Sequence, residues 1–260
     1  MSRLWGEKMI INLAETSGKA TISYTGNHTT QTITSGGKKY LLYMLTGSGT
    51  LTIKGASKDT SIWLCGGGAN GGKAIASYGG DGGGGGYAAS YSGKVANGEY
   101  VIAVGAAAGT TSFGSLVTAN GASGKNGGTG GGGGGKGDGI AKYPFADTAN
   151  FKCHCAGGGG GEEQEYSYGD TTTSSVGKGG TNGGNGGGQG SGAAGGNYGG
   201  GEGGDAYATS DTAVAWGGNS ASFYGSGGGG GGYAKSSYAG SDKGIGGAGY
   251  QGVVYIRVPA

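Results

Sequence analysis

Gly225-Ser-Gly-Gly-Gly-Gly-Gly-Gly232 runs into Tyr233-Ala-Lys-Ser236, and the chain then closes on Gly252-Val-Val-Tyr-Ile-Arg-Val258. The first stretch has almost no side chains to bury, whereas the last reads as a core β-strand. Returning to a buried strand after such a run argues against uniform disorder, the default reading of a glycine-rich chain. The run must then be ordered by its backbone. Glycine loses more conformational entropy on ordering than any other residue, so the compensation has to come from its N–H and C=O groups. A left-handed three-fold helix of the polyproline type makes no internal hydrogen bonds and points every donor and acceptor outward. With glycine at each contact, such helices approach closely and bond laterally on several sides, which predicts a hexagonal bundle.

Outward from residues 225–258 the composition divides the chain. Glycine accounts for 75 of 260 residues; eight fall in residues 1–65 and sixty-six between Gly66 and Gly249, while all eight leucines lie at or before Leu116. Proline occurs only at 144 and 259, and no Gly-X-Y period exists, which excludes collagen. Lys19–Thr25, Lys38–Leu45, Thr50–Lys54 and Thr60–Cys65 read as strands, the second apolar on both faces. Gly86–Ser92, Glu99–Val104 and Ser112–Thr118 add three more β-like pieces. No stretch has a helical period. The expected architecture is all-β, with essentially no α-helix. An antiparallel sandwich comprises residues 1–118 and is completed by strand 252–258, and a bundle of polyglycine helices with end loops spans 119–251.

Five inserts interrupt the glycine runs and differ from them in chemistry. They carry Tyr143, Phe145 and Phe151; Tyr166 and Tyr168; Tyr207 and Trp216; Phe223 and Tyr224; and Tyr233 with Tyr238. Seventeen tyrosines against four phenylalanines is the composition of a recognition surface, because tyrosine offers a rigid face and a hydroxyl at low entropic cost. Loops held at the ends of a rigid bundle are where binding residues are displayed. Tyr143, Phe145, Phe151, Tyr166, Tyr168, Tyr207, Trp216, Phe223, Tyr224 and Tyr238 are therefore the candidate binding residues, although any single tyrosine could equally pack.

Other motifs carry less. Gly67–Lys73 fits the phosphate-loop spacing after a strand, but Ala74 replaces the hydroxyl that would hold magnesium and no helix follows. Gly130–Lys136 fits as well, as chance allows in so glycine-rich a chain. Cys153-His154-Cys155 places three metal-capable side chains in a row without a second ligand pair, so no metal and no cofactor is expected. Glu162, Glu163 and Glu165 form the one acidic cluster. Carboxylates so close on a polar loop are more often solvated or paired with lysine than catalytic, and no enzyme is expected. A net charge of +2 gives no case for nucleic acid. No apolar run approaches a membrane span, and no secretory signal is visible in Met1–Leu13. Three cysteines, an odd number, fit synthesis in a reducing cytosol.

Ile62-Trp-Leu-Cys-Gly-Gly-Gly68, Gly82–Gly86 with Tyr87, Gly98-Glu-Tyr-Val-Ile-Ala-Val-Gly105, Thr110-Thr-Ser-Phe-Gly114 and the closing strand together resemble the glycine-rich tail proteins of phages and prophages. Glycine runs alternating with variable inserts are also similar to the distal tail-fibre adhesins of T-even-like phages. That resemblance implies a polyglycine bundle whose end loops touch a host receptor, here a bacterial surface glycan or outer protein. It also implies a virion location after assembly in the host cytoplasm, with other tail or virion proteins as partners. A homotrimer and a monomer capping a fibre both stay open. The alternative is a structural virion part, a fibre cap or head decoration, whose loops face other virion proteins.

Overall fold

The computed structural model describes residues 11–12, 21–55, 58–75, 78–122, 142–167, 173–175 and 199–260. It is all-β, with no α-helix among these residues; a single 3-10 turn spans Pro144–Ala146.

Two antiparallel sheets form a sandwich. One takes β1 (Ile11–Asn12), β2 (Thr21–Tyr24), β5 (Gly49–Lys54), β8 (Gly98–Ala103), β9 (Thr111–Phe113) and β10 (Val117–Ala119) in that order. The other runs β3 (His28–Ser35), β4 (Lys38–Leu45), β17 (Val253–Pro259), β6 (Lys58–Cys65) and β7 (Ala88–Val95). The closing strand β17 lies between β4 and β6, with Ile256 opposite Tyr43 on one side and Ile62 on the other.

The two-residue period of these strands divides their side chains between two cores. Tyr43, Leu45, Ile62, Leu64, Val254 and Ile256 face the first sheet and meet Ile22, Leu51, Ile53, Ile102 and Phe113. Leu42, Trp63, Cys65, Val253 and Tyr255 point the other way and are covered by Phe145, Phe151, Cys155 and Tyr224. Both faces of β4, β6 and β17 are thus buried, as their continuous apolar runs require. Full burial of each Leu or Ile in the inner core stabilises by about 1.5–3 kcal/mol.

Two strand expectations change. Ser112–Thr118 is a hairpin of β9 and β10 rather than one piece, because Gly114 takes φ +51° and the Leu116 N–H bonds back to Phe113 O at 3.0 Å. The strand β3, His28-Thr-Thr-Gln-Thr-Ile-Thr-Ser35, buries only Ile33, so no apolar alternation marks it in the sequence.

Residues 225–233 form the axis of a bundle and are surrounded by six extended runs. Going round, these are residues 66–74, 78–87, 155–162, 199–205, 216–222 and 244–251, and each bonds to the next until the ring closes. Along the axis the hydrogen bonds repeat every third residue, the period of a polyproline-type helix. The N–H groups of Gly227 and Gly230 donate to Ala156 and Gly159, those of Gly228 and Gly231 to Ala69 and Gly72, and those of Gly229 and Gly232 to Asn219 and Trp216. The carbonyls accept in the same rhythm. Gly201 and Gly204 donate to Gly227 and Gly230, Gly83 and Gly80 to Gly228 and Gly231, and Gly247 and Gly244 to Gly229 and Gly232. Every backbone donor and acceptor from Gly227 to Gly232 is satisfied, at 2.6–3.0 Å.

The same packing dictates the residue type. A Cβ built at Gly227, Gly228, Gly229, Gly230, Gly231 or Gly232 would overlap a backbone carbonyl oxygen of Gly83, Gly247, Glu202, Gly80, Gly244 or Asp205 respectively. Larger residues appear where an outer run faces away from the axis: Asn70 and Lys73 on one run, Ile245 and Ala248 on another, are exposed at three-residue spacing. Two of the seven runs, 66–74 and 78–87, lie between β6 and β7, so the bundle draws on chain before residue 118 as well as after it.

Candidate functional site

Among the described residues seven runs cross the bundle, and each begins at one end and finishes at the other. Runs 66–74, 155–162, 199–205 and 225–233 point away from the sandwich, and runs 78–87, 216–222 and 244–251 return towards it. The far end is built from the bridged pair Ile75 and Tyr78, the strands β11 (Glu163–Tyr166) and β12 (Thr173–Ser175), the hairpin β13 (Ala206–Ala208) with β14 (Ala213–Ala215), and the hairpin β15 (Tyr233–Ser236) with β16 (Gly240–Lys243). β11 and β15 pair in parallel because each continues a run of the same direction. Alanines 206, 208 and 234 form a small core with Tyr166 packed on it.

Polar side chains fasten these pieces together. Glu162 is fully buried and its Oε2 accepts the Ala206 N–H at 2.8 Å; Gln164 Oε1 accepts the Ala208 N–H at 2.9 Å. Asp242 Oδ2 accepts the Ala215 N–H at 2.9 Å, and Ser236 Oγ donates to Ser210 O at 2.8 Å. Lys235 pairs with Glu165 at 3.2 Å. Burial pushes the Glu163 carboxyl up to about 7, Glu165 adds to the rise and Lys235 opposes it. The acidic cluster thus divides into a buried acceptor, an ion pair and a carboxyl of raised basicity.

These fastened loops present large apolar and aromatic side chains outward, beside exposed polar ones such as Asp211, Lys235 and Lys243. Ten large apolar or aromatic side chains are exposed among the described residues, and six of them (Ile75, Tyr78, Tyr207, Trp216, Tyr238 and Ile245) sit at this end. Tyr207, Trp216 and Tyr238 are candidates from the sequence. Ile75, Tyr78 and Ile245 are additions: Ile245 is an outward position of its run, three residues before Ala248, and Ile75 bridges Tyr78 where two runs meet.

The remaining candidates stand elsewhere. Phe145, Phe151 and Tyr224 pack on the outer face of the second sheet, next to the sandwich, and Phe145 stacks over the Arg257 guanidinium at 4.4 Å. Tyr143 precedes the 3-10 turn on that same segment. Phe223 lies beside Gly199, with the Lys152 ammonium 4.6 Å from its ring centre. Tyr168 lies outside the described residues. The structure therefore brings Tyr166, Tyr207, Trp216 and Tyr238 together at the far end, and Tyr143, Phe145, Phe151, Phe223 and Tyr224 together at the near one.

The phosphate-loop pattern 67–73 is one of the bundle runs. Its N–H groups at Gly67, Gly68, Ala69, Gly71 and Gly72 donate to Gly109, Tyr250, Gly84, Gly247 and Asp81, which leaves no cradle for a phosphate. Among the described residues, no group of three or more His, Cys, Asp or Glu side chains is arranged to hold a metal. Set against protein-family models, curated proteins and solved structures, the chain has a match in none of the three comparisons.

Proposed function

We propose that this protein is a phage tail-tip adhesin that attaches reversibly to a bacterial surface glycan or outer protein. Attachment runs through the loops at the far end of the glycine bundle. The observation that carries this reading is the gathering of Ile75, Tyr78, Tyr207, Trp216, Tyr238 and Ile245, exposed together at the end remote from the sandwich. Aromatic side chains on backbone already held by neighbouring strands lose little freedom on binding, so contact area is converted efficiently into affinity. The sandwich, at the opposite end of the bundle from these loops, then serves as the attachment side towards the rest of a tail or fibre. The reading requires no bond to be broken in the receptor and no cofactor.

Labelled protein added to a panel of bacterial strains tests this. Strain-selective, saturable binding is the expected result. A folded protein that binds none of a broad panel would overturn the adhesin reading in favour of a structural virion part.

A further inference from the structure

A cleft of about 390 Å³ opens at the near end of the bundle, where the segment 150–154 and residues 222–224 meet the outer face of the second sheet. Its volume lies within the range of small-ligand sites. Aromatic rings form its walls: Phe151 stands edge-on to Tyr255 at 5.2 Å, and Tyr224 edge-on to Tyr250 at 5.3 Å. Tyr255 is covered by Trp63 and His154, whereas Phe151, Phe223, Tyr224 and Tyr250 are partly exposed, and ring faces carry negative charge that suits the C–H surface of a sugar ring.

The polar groups in the lining point to the same ligand. His154 is 4% exposed; its Nε2 lies 3.2 Å from the Tyr255 hydroxyl, and its Nδ1 has no partner. That nitrogen is itself buried, and the ring lies against Trp63, Tyr224 and Tyr255, so His154 shapes the wall of the cleft. Gln31 and Ser222 add further hydrogen-bonding groups to the lining. Lys152 is the one lining side chain with a formal charge, and no carboxylate among the described residues pairs with it. Its ammonium is held over the Phe223 ring instead.

We propose that the cleft binds an acidic pyranose, a uronic-acid unit, with the sugar ring against the aromatic walls, hydroxyls on Gln31 and Ser222 and the carboxylate on Lys152. The site is separate from the far-end loops and does not depend on the adhesin reading, since free sugars and the purified chain suffice to test it.

Galacturonate and glucuronate, with galactose and glucose as neutral counterparts, are titrated into the full chain and followed by calorimetry and saturation-transfer NMR. Saturable binding of a uronate in preference to its neutral counterpart is expected. Lys152→Gln, an exposed change, should weaken uronate binding about tenfold, or ~1.4 kcal/mol, and remove the preference. Ser222→Trp, which fills the mouth, should abolish binding of both sugars with the melting temperature unchanged. Absence of uronate binding to the wild-type chain, equal affinity for the neutral sugar, or uronate affinity unaltered by Lys152→Gln would each overturn the proposal.

Discussion

The sandwich and the bundle are two solutions to one problem, and they use opposite materials. In the sandwich, Leu45, Leu64 and Ile62 are wholly buried and the side chains fill the space between sheets. In the bundle, residues 227–232 have no side chains, and the space between runs is filled by the backbones themselves. The first region tolerates some change of shape provided volume is kept. The second tolerates none, because its neighbours are carbonyl oxygens fixed in their own hydrogen bonds. A core can thus be specified by the absence of side chains as strictly as by their fit.

The contrast predicts an inversion of the usual ranking of substitutions. Replacing glycine by alanine at a compatible site commonly stabilises a protein, whereas truncating a buried leucine costs about 2–5 kcal/mol. Here Gly229→Ala would drive a methyl into Glu202 O inside a ring of six runs. It should destabilise by at least as much as Leu64→Ala, about 3 kcal/mol or more. Chemical denaturation of both variants makes the comparison, and a Gly229→Ala protein as stable as wild type would refute hexagonal packing of the axis.

A second, smaller contrast concerns acid. Burial depresses the basicity of His154, at the near end, to about 4. Between there and the ordinary imidazole value the unfolded chain binds more protons. Stability contributed by neutral His154 is therefore full above about pH 6.5 and is lost as pH falls towards 4, by up to about 3 kcal/mol. The melting temperature of wild type should fall relative to that of His154→Phe as the pH is lowered from about 6.5 towards 4. Parallel curves would show that His154 is not the group responsible.

Glu163, at the far end, works with the opposite sign and least strongly. Its carboxyl is raised to about 7, so the folded chain binds more protons than the unfolded one between the ordinary carboxylate range and there. Its contribution is best at low pH and fades as pH rises through 7. Glu163 is partly exposed, which keeps the effect small. Glu163→Gln should raise the melting temperature slightly at pH 7.5 and leave it unchanged at pH 4.5. An equal shift at both values would remove the carboxylate from the account.

Much of this architecture is legible in the sequence, for reasons that particular residues make plain. Lys38–Leu45 and Val253–Val258 are apolar on both faces and become inner strands of the second sheet, while runs such as 225–232 can be ordered only through the backbone. β3 is hidden in the sequence because this edge strand is polar apart from Ile33. The end at which an insert falls is not local information either. Residues 142–155 and 206–215 look alike as aromatic interruptions, yet one covers the sandwich and the other caps the far end, because the direction of each crossing decides the side. Ile75, Tyr78 and Ile245 read in the sequence only as flanks of glycine runs, because nothing local shows that they face outward at a bundle end.

The division between the two ends is also the point at which the functional account is most exposed. A triple variant Tyr207→Ser, Trp216→Ser, Tyr238→Ser alters only exposed positions at the far end and should change stability by less than about 0.5 kcal/mol per site. Tyr87→Ser is the matching exposed change at the near end. Binding of both proteins to a strain that wild type recognises is the decisive measurement. The account predicts that the triple variant melts like wild type but no longer binds, while Tyr87→Ser binds normally. Undiminished binding by the triple variant would contradict it.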